Sequence, residues 1–270
     1  MGRLSKSFKF SMKQILCLMD WPEHSEQTLE FAALAASKIQ GNLLLYEWSH
    51  NPSKELLRRE DCFAKFAAAR NSTILNIVDG LSGKYQIATA FDNPTFPGET
   101  DQKRLGRLAT ASEAVVVDSR HADRLLKILS NHPEWLFMQC PVIVVPEIFQ
   151  PFEPTQLIYL HKTHVNPWTE MVLPAWWSQL LGITFSIWTE PEELDRLKGS
   201  KKRDFSDFLQ QVQHEKIISS VGEHADPEPD KTEPGTIYAL AFNPQQHDGE
   251  DYLNRFMQKS VNPILVFDVG

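Results

Sequence analysis

Two short polar stretches, each directly after an apolar run, are the places where this sequence could do chemistry. The first is Asp118-Ser119-Arg120-His121-Ala122-Asp123, following Val115 to Val117. An arginine and a histidine at the end of a strand can receive an anion, but Asp118 and Asp123 beside them favour a surface ion pair instead. The second is His161-Lys162-Thr163-His164, after Leu157 to Leu160. His-x-x-His is half of a zinc set; no cysteine lies near, and His214, His224 or His247 would join only through the fold. Two histidines alone are ordinary loop residues, so no metal is expected. A third position, Asp20-Trp21, ends the run Ile15 to Met19, where an aspartate either meets a ligand or caps the following helix. Paired carboxylates such as Glu192-Glu193 sit at an expected helix end and read as solvated. There is no nucleophile elbow, Walker loop or Cys/His pair with a recognisable context. The chain is therefore expected not to be an enzyme and to carry no cofactor.

The elements that position these residues alternate. Ile15 to Met19 reads as a strand, Glu23 to Ile39 as a helix, and Leu43 to Trp48 as a second strand. A long helix is expected from Lys54 to about Asp79, ending near Gly80, then a strand from Tyr85 to Phe91 and a helix from Thr100 to Thr110. Val115 to Val117, a helix from Ala122 to Met138, and Val142 to Val145 complete the series. Strand and helix in strict alternation build a parallel sheet covered on both faces, because each crossover is right-handed.

The series then recurs. Gln14 to Trp48 lies over Gln156 to Thr189 with one residue lost, and Ala114 to Pro146 lies over Thr236 to Asp268 without a gap. This overlay makes Trp48 the counterpart of Trp188. Duplication fixes the unit of folding: a basic tail over residues 1–12, one domain over 13–150 and a second over 151–270. The second copy is the more eroded. Pro174 interrupts its first helix, which is expected to kink or start late. Asp204 to Gln213 reads as its second helix and Lys216 to Val221 as its third strand. His224 to Gly235, rich in proline and acid, is an exposed loop in place of a third helix.

A net charge of −8 disfavours a nucleic-acid partner, and an apolar content of 42 % with no run long enough for a membrane span points to a globular chain. The basic start (Arg3, Lys6, Lys9, Lys13) reads as a solvated tail. Cys17 and Cys140 lie in or beside apolar strands and read as buried thiols of a reducing compartment, so a cytoplasmic location is expected. Trp168, Trp176 and Trp177 crowd one helix; the adjacent pair cannot face one way, and packing between the two copies is the simpler use for them.

ILCLMDWPEHSEQTLEFAALAA near the start and CPVIVVP at the end of the first copy resemble the opening and close of universal stress proteins. The likeness covers Lys13 to Pro146 and, more weakly, Thr155 to Asp268. It implies two tandem flavodoxin-like (adenine nucleotide alpha hydrolase-like) domains, each a parallel five-stranded α/β sheet of order 3-2-1-4-5. It also implies a ligand crevice at the C-terminal ends of strands 1 and 4, which is the topological switch point of such a sheet. By this resemblance Asp20 stands where the family's acidic residue meets a nucleotide; the second copy has Lys162 there.

Family members that bind ATP carry a glycine-rich stretch after strand 4, whose backbone N–H groups cradle phosphate. No glycine occurs from Arg107 to Leu181, and in the second copy Pro244 and a lone Gly249 replace that stretch. The expected function is a non-catalytic stress-response protein acting as a binding or interaction module without ATP. The alternatives are a nucleotide binder or weak ATPase with a non-standard loop, and a carrier of an apolar molecule between the copies. A small molecule would meet Asp20, Trp21, Ser119, Arg120 and His121 in the first copy, with His161, Lys162 and His164 as the lesser candidate. The partner would be a protein or a small molecule. Family members commonly pair along the last strand, so Val142–Val145 and Ile264–Phe267 are expected to meet within the chain as a pseudo-dimer, with a homodimer as the other outcome.

Overall fold

The computed structural model describes residues 13–19, 22–47, 60–92, 101–130, 140–161, 167–189, 218–223, 235–242, 253 and 255–268. Continuous apolar runs become strands because both their faces are covered. In chain order the elements are β1 (Gln14–Met19), α1 (Pro22–Lys38), β2 (Asn42–Glu47), α2 (Glu60–Tyr85), β3 (Thr89–Phe91), α3 (Asp101–Thr110), β4 (Ala114–Asp118), α4 (Ser119–Ser130) and β5 (Val142–Val145). There follow β6 (Gln156–His161), α5 (Pro167–Leu181), β7 (Thr184–Thr189), β8 (Ile218–Glu223), β9 (Thr236–Phe242) and β10 (Ile264–Asp268). The expected second helix at Asp204 to Gln213 and most of the His224–Gly235 loop lie outside the described residues.

The strands form one α/β sheet in the order β3-β2-β1-β4-β5-β10-β9-β6-β7-β8. Every neighbouring pair is parallel except β5 with β10. At that antiparallel contact Ile143 faces Leu265, flanked by Val144 opposite Ile264 and Val142 opposite Val266. Both hydrophobic cores run through this seam. One face gathers Ile15, Cys17, Ala32, Ala36, Ile143 and Leu265 with Tyr159 and Trp177; the other gathers Leu16, Val117, Leu125 and Val144 with Tyr238 and Phe256. The connecting residues after β5 pack as well, with Phe149 edge-on to Phe31 of α1 and to Phe152.

The register corrects the gapless overlay. Ile15 stands beside Ala114, and Leu157 beside Ile237, so Ala114 matches Ile237 and not Thr236. The N–H of Val115 bonds the Pro141 carbonyl as that of Tyr238 bonds Pro263. A one-residue slip would have turned every β9 side chain to the wrong face, which the burial of Ile237 and Ala239 with the first core forbids. The beginnings need no lost residue, since Gln14 pairs with Asn42 as Gln156 pairs with Thr184. Trp188, opposite Leu160, therefore matches Tyr46 opposite Leu18, and not Trp48.

Three helix ends share one hydrogen-bond pattern. Gly41 N–H reaches Ala36 across Gln40 (φ 55°), and Ile183 N–H reaches Ser178 across Gly182 (φ 69°). Ile87 N–H likewise reaches Ser82 across Gln86 (φ 54°). These are left-handed stops, and only one of the three uses the residue that adopts that backbone without cost. The α2 stop lies beyond Gly80, where a helix end was expected. Val78 is buried, and Ile77, Leu81 and Tyr85 pack against the core, so tertiary contact carries the helix past two glycines. Tyr85 consequently ends a helix and does not open a strand; β3 is confined to Thr89–Phe91. Helix α5 runs through Pro174 without ending.

Candidate functional site

The crossover from β1 runs through α1 on one face of the sheet, and that from β4 through α4 on the other. Where two such crossovers part, the C-terminal ends of β1 and β4 flank a crevice. Cys17 pairs with Val116, so the next residues on that face, Met19 and Asp118, are neighbours at the crevice floor. Both are buried, Asp118 to 4 % exposure.

Asp118 is fully engaged. Its Oδ1 accepts the backbone N–H of Arg120 at 2.9 Å and the Arg120 Nε–H at 2.7 Å, and its Oδ2 accepts Nη2–H at 3.1 Å. That is N-cap geometry with a two-point ion pair added. Helix α4 therefore starts at Ser119, directly after the strand, and not at Ala122 as the sequence suggested. Ser119, Arg120 and His121 are its first turn, with Arg120 exposed. The positive end of the helix already faces a carboxylate supplied by the chain itself. Asp123 turns outward and pairs with Lys127 at 2.9 Å, four residues on. Asp20 and Trp21 lie outside the described residues.

A second ion pair, which the sequence reading missed, stands beside this crevice. Arg104 of α3 donates through Nε to Asp92, just past β3, and its guanidinium lies 5.3 Å from the Tyr46 ring centre. Arg104 is only 8 % exposed. Its sole local signal is a charge among Leu105, Leu108 and Ala109, which an exposed helix face would equally show.

The matching point in the second half is built differently. His161 is not in a loop: it is the last residue of β6 and 1 % exposed. The hydroxyl of Tyr159, two residues earlier on the same face, lies 3.3 Å from its Nδ1. The Thr189 hydroxyl donates to the His161 carbonyl at 3.2 Å, and the Tyr159 ring packs on Phe267 with centroids 5.8 Å apart. Since Tyr159 pairs with Ala239, the strand neighbour of His161 is Ala241, where the first half has Asp118. Lys162 and His164 lie outside the described residues.

Elsewhere the polar candidates are structural. Burial pushes the Cys17 thiol far up, and burial with the nearby charge of Glu113 pushes Cys140 up to about 12, so neither is a nucleophile at neutral pH. Trp177 is fully buried while Trp176 stays 39 % exposed, and the two rings meet edge to face. Trp188 packs on Tyr238. Among the described residues no group of three or more His, Cys, Asp or Glu is placed to hold a metal ion, and no helix is long and apolar enough to cross a membrane.

No family model matches the sequence, and no curated protein matches it. Solved structures do. A universal stress protein from Archaeoglobus fulgidus DSM 4304 superposes with a TM-score of 0.58 at 15 % identity, covering 95 % of this chain and 96 % of that one. The cytoplasmic domain of a prokaryotic cation chloride cotransporter gives a TM-score of 0.54 at 10 % identity, over 95 % of both chains. A functionally unknown protein from Pseudomonas aeruginosa PAO1 gives 0.53 at 10 % identity, over 95 % and 92 %. At these identities the likeness is one of fold: the chain has the α/β architecture of the universal stress proteins, over nearly its whole length.

Proposed function

We propose that this chain is a tandem universal-stress-like protein, an intramolecular pseudo-dimer of two five-stranded halves of order 3-2-1-4-5, acting as a non-catalytic binding or interaction module. The pseudo-dimer reading draws on the seam. With Ile143 opposite Leu265 and the flanking pairs reversed about them, each last strand meets its counterpart as it would across a twofold axis. The β5 edge of one half and the β10 edge of the other are thereby used inside one chain, leaving β3 and β8 at the two ends of the sheet.

The functional reading rests on Asp118. A stress protein and a transporter's cytoplasmic domain both carry this fold, so fold alone does not select a task. The site must do that. A phosphate cradle needs free backbone N–H groups on a glycine loop before a helix. Here the helix follows the strand at once, and a buried carboxylate holds the Arg120 N–H and guanidinium that an anion would seek. Phosphate would meet negative charge in place of donors.

Titration calorimetry with ATP and magnesium tests this directly. The expected trace is dilution heat only, in the wild type. Saturable binding of micromolar strength would overturn the reading and favour a nucleotide binder with a non-standard loop. An apolar molecule co-purifying in native mass spectra would favour a carrier.

A further inference from the structure

We draw no further inference here: the strongest candidate, the exposed apolar face of α5 formed by Val172 and Trp176, carries no proposal because nothing in the structure shows what covers it.

Discussion

On the proposed tandem reading, the two halves of the sheet place different groups at corresponding points. The first sets Met19 beside Asp118, and closes the end of β4 with a carboxylate that its own helix consumes. The second sets His161 beside Ala241, and spends its polarity on a histidine–tyrosine contact within β6. A sheet of this order supplies the crevice whatever lines it; the lining is free to change because strand pairing does not depend on it. The halves also differ on their outer helices. In the first, Glu30 and Ser37 of α1 bond Lys84 and Tyr85 of α2. In the second, Val172 and Trp176 of α5 stand exposed.

The comparison presumes that both halves fold on common cores, and the most severe substitution attacks that premise. Ile143→Asp places a carboxylate at the buried centre of the seam and is expected to cost about 3–5 kcal/mol, felt by both halves together. Urea unfolding of the wild type should then be one transition, followed alike by tryptophan fluorescence and circular dichroism. Two resolved steps, or half of the ellipticity surviving in the variant, would mean that the halves are separate folding units.

Next in size is the carboxylate itself. Asp118→Ala gives the first half the residue type that the second half has at Ala241. It removes a helix cap and leaves the Arg120 N–H without its acceptor, for an expected loss of ~1–2 kcal/mol in urea midpoints. A neutral result would show that the cap is dispensable and weaken the case built on it.

Smaller still are the helix stops. Gln40→Gly should stabilise by roughly 1 kcal/mol, because glycine takes a φ of 55° without the penalty that glutamine bears. Gly182→Ala should cost about the same, from backbone strain alone, since an added Cβ there meets nothing within 4 Å. Equal and opposite shifts in thermal midpoint would sharpen the match between the two helix ends; shifts of the same sign would break it.

The least effect is expected from pH. Partial burial raises the Tyr85 pKa, with the Glu30 hydrogen bond adding to it. The unfolded chain therefore loses that proton first, near the ordinary tyrosine pKa of about 10. Stability contributed by Tyr85 is intact below that pH and declines as pH rises from there until the folded tyrosine also ionises. Tyr85→Phe should flatten that alkaline slope, and an unchanged slope would assign it to other groups. The thiols offer a companion readout. Cys17 and Cys140, buried and held protonated, should resist alkylation in native protein at mildly alkaline pH.

How far the sequence could be read varied with the kind of signal. Apolar runs bounded by polar residues marked the strands, including Val142 to Val145 and Ile264 to Phe267, because burial on both faces leaves only one composition. Helix starts were harder. Ser119-Arg120-His121 looks like a loop since all three are polar, yet Asp118 before Ala122, Leu125, Leu126 and Leu129 is a cap followed by a helical stripe. Gly80 looked like a stop because local propensity is blind to the packing of Leu81 and Tyr85. The overlay slipped by one residue in β9 because apolar residues run without alternation through Ile237 to Leu240, so composition carries no phase. At the candidate site, Arg104 and Asp92 meet only through the fold, and no spacing in the chain announces them.

The seam carries a consequence for how such a molecule diverges. In an assembly of identical subunits a substitution appears twice, and any change near the axis must be compatible with itself. In the intramolecular pseudo-dimer proposed above, Ile143 facing Leu265 is released from that condition: each side of the contact can be altered once and compensated on the other. The same release extends to everything the seam holds in place. On the proposed pseudo-dimer reading, one half can carry Asp118 and spend it on its own helix while the other has an alanine beside a buried histidine, and neither choice has to be copied.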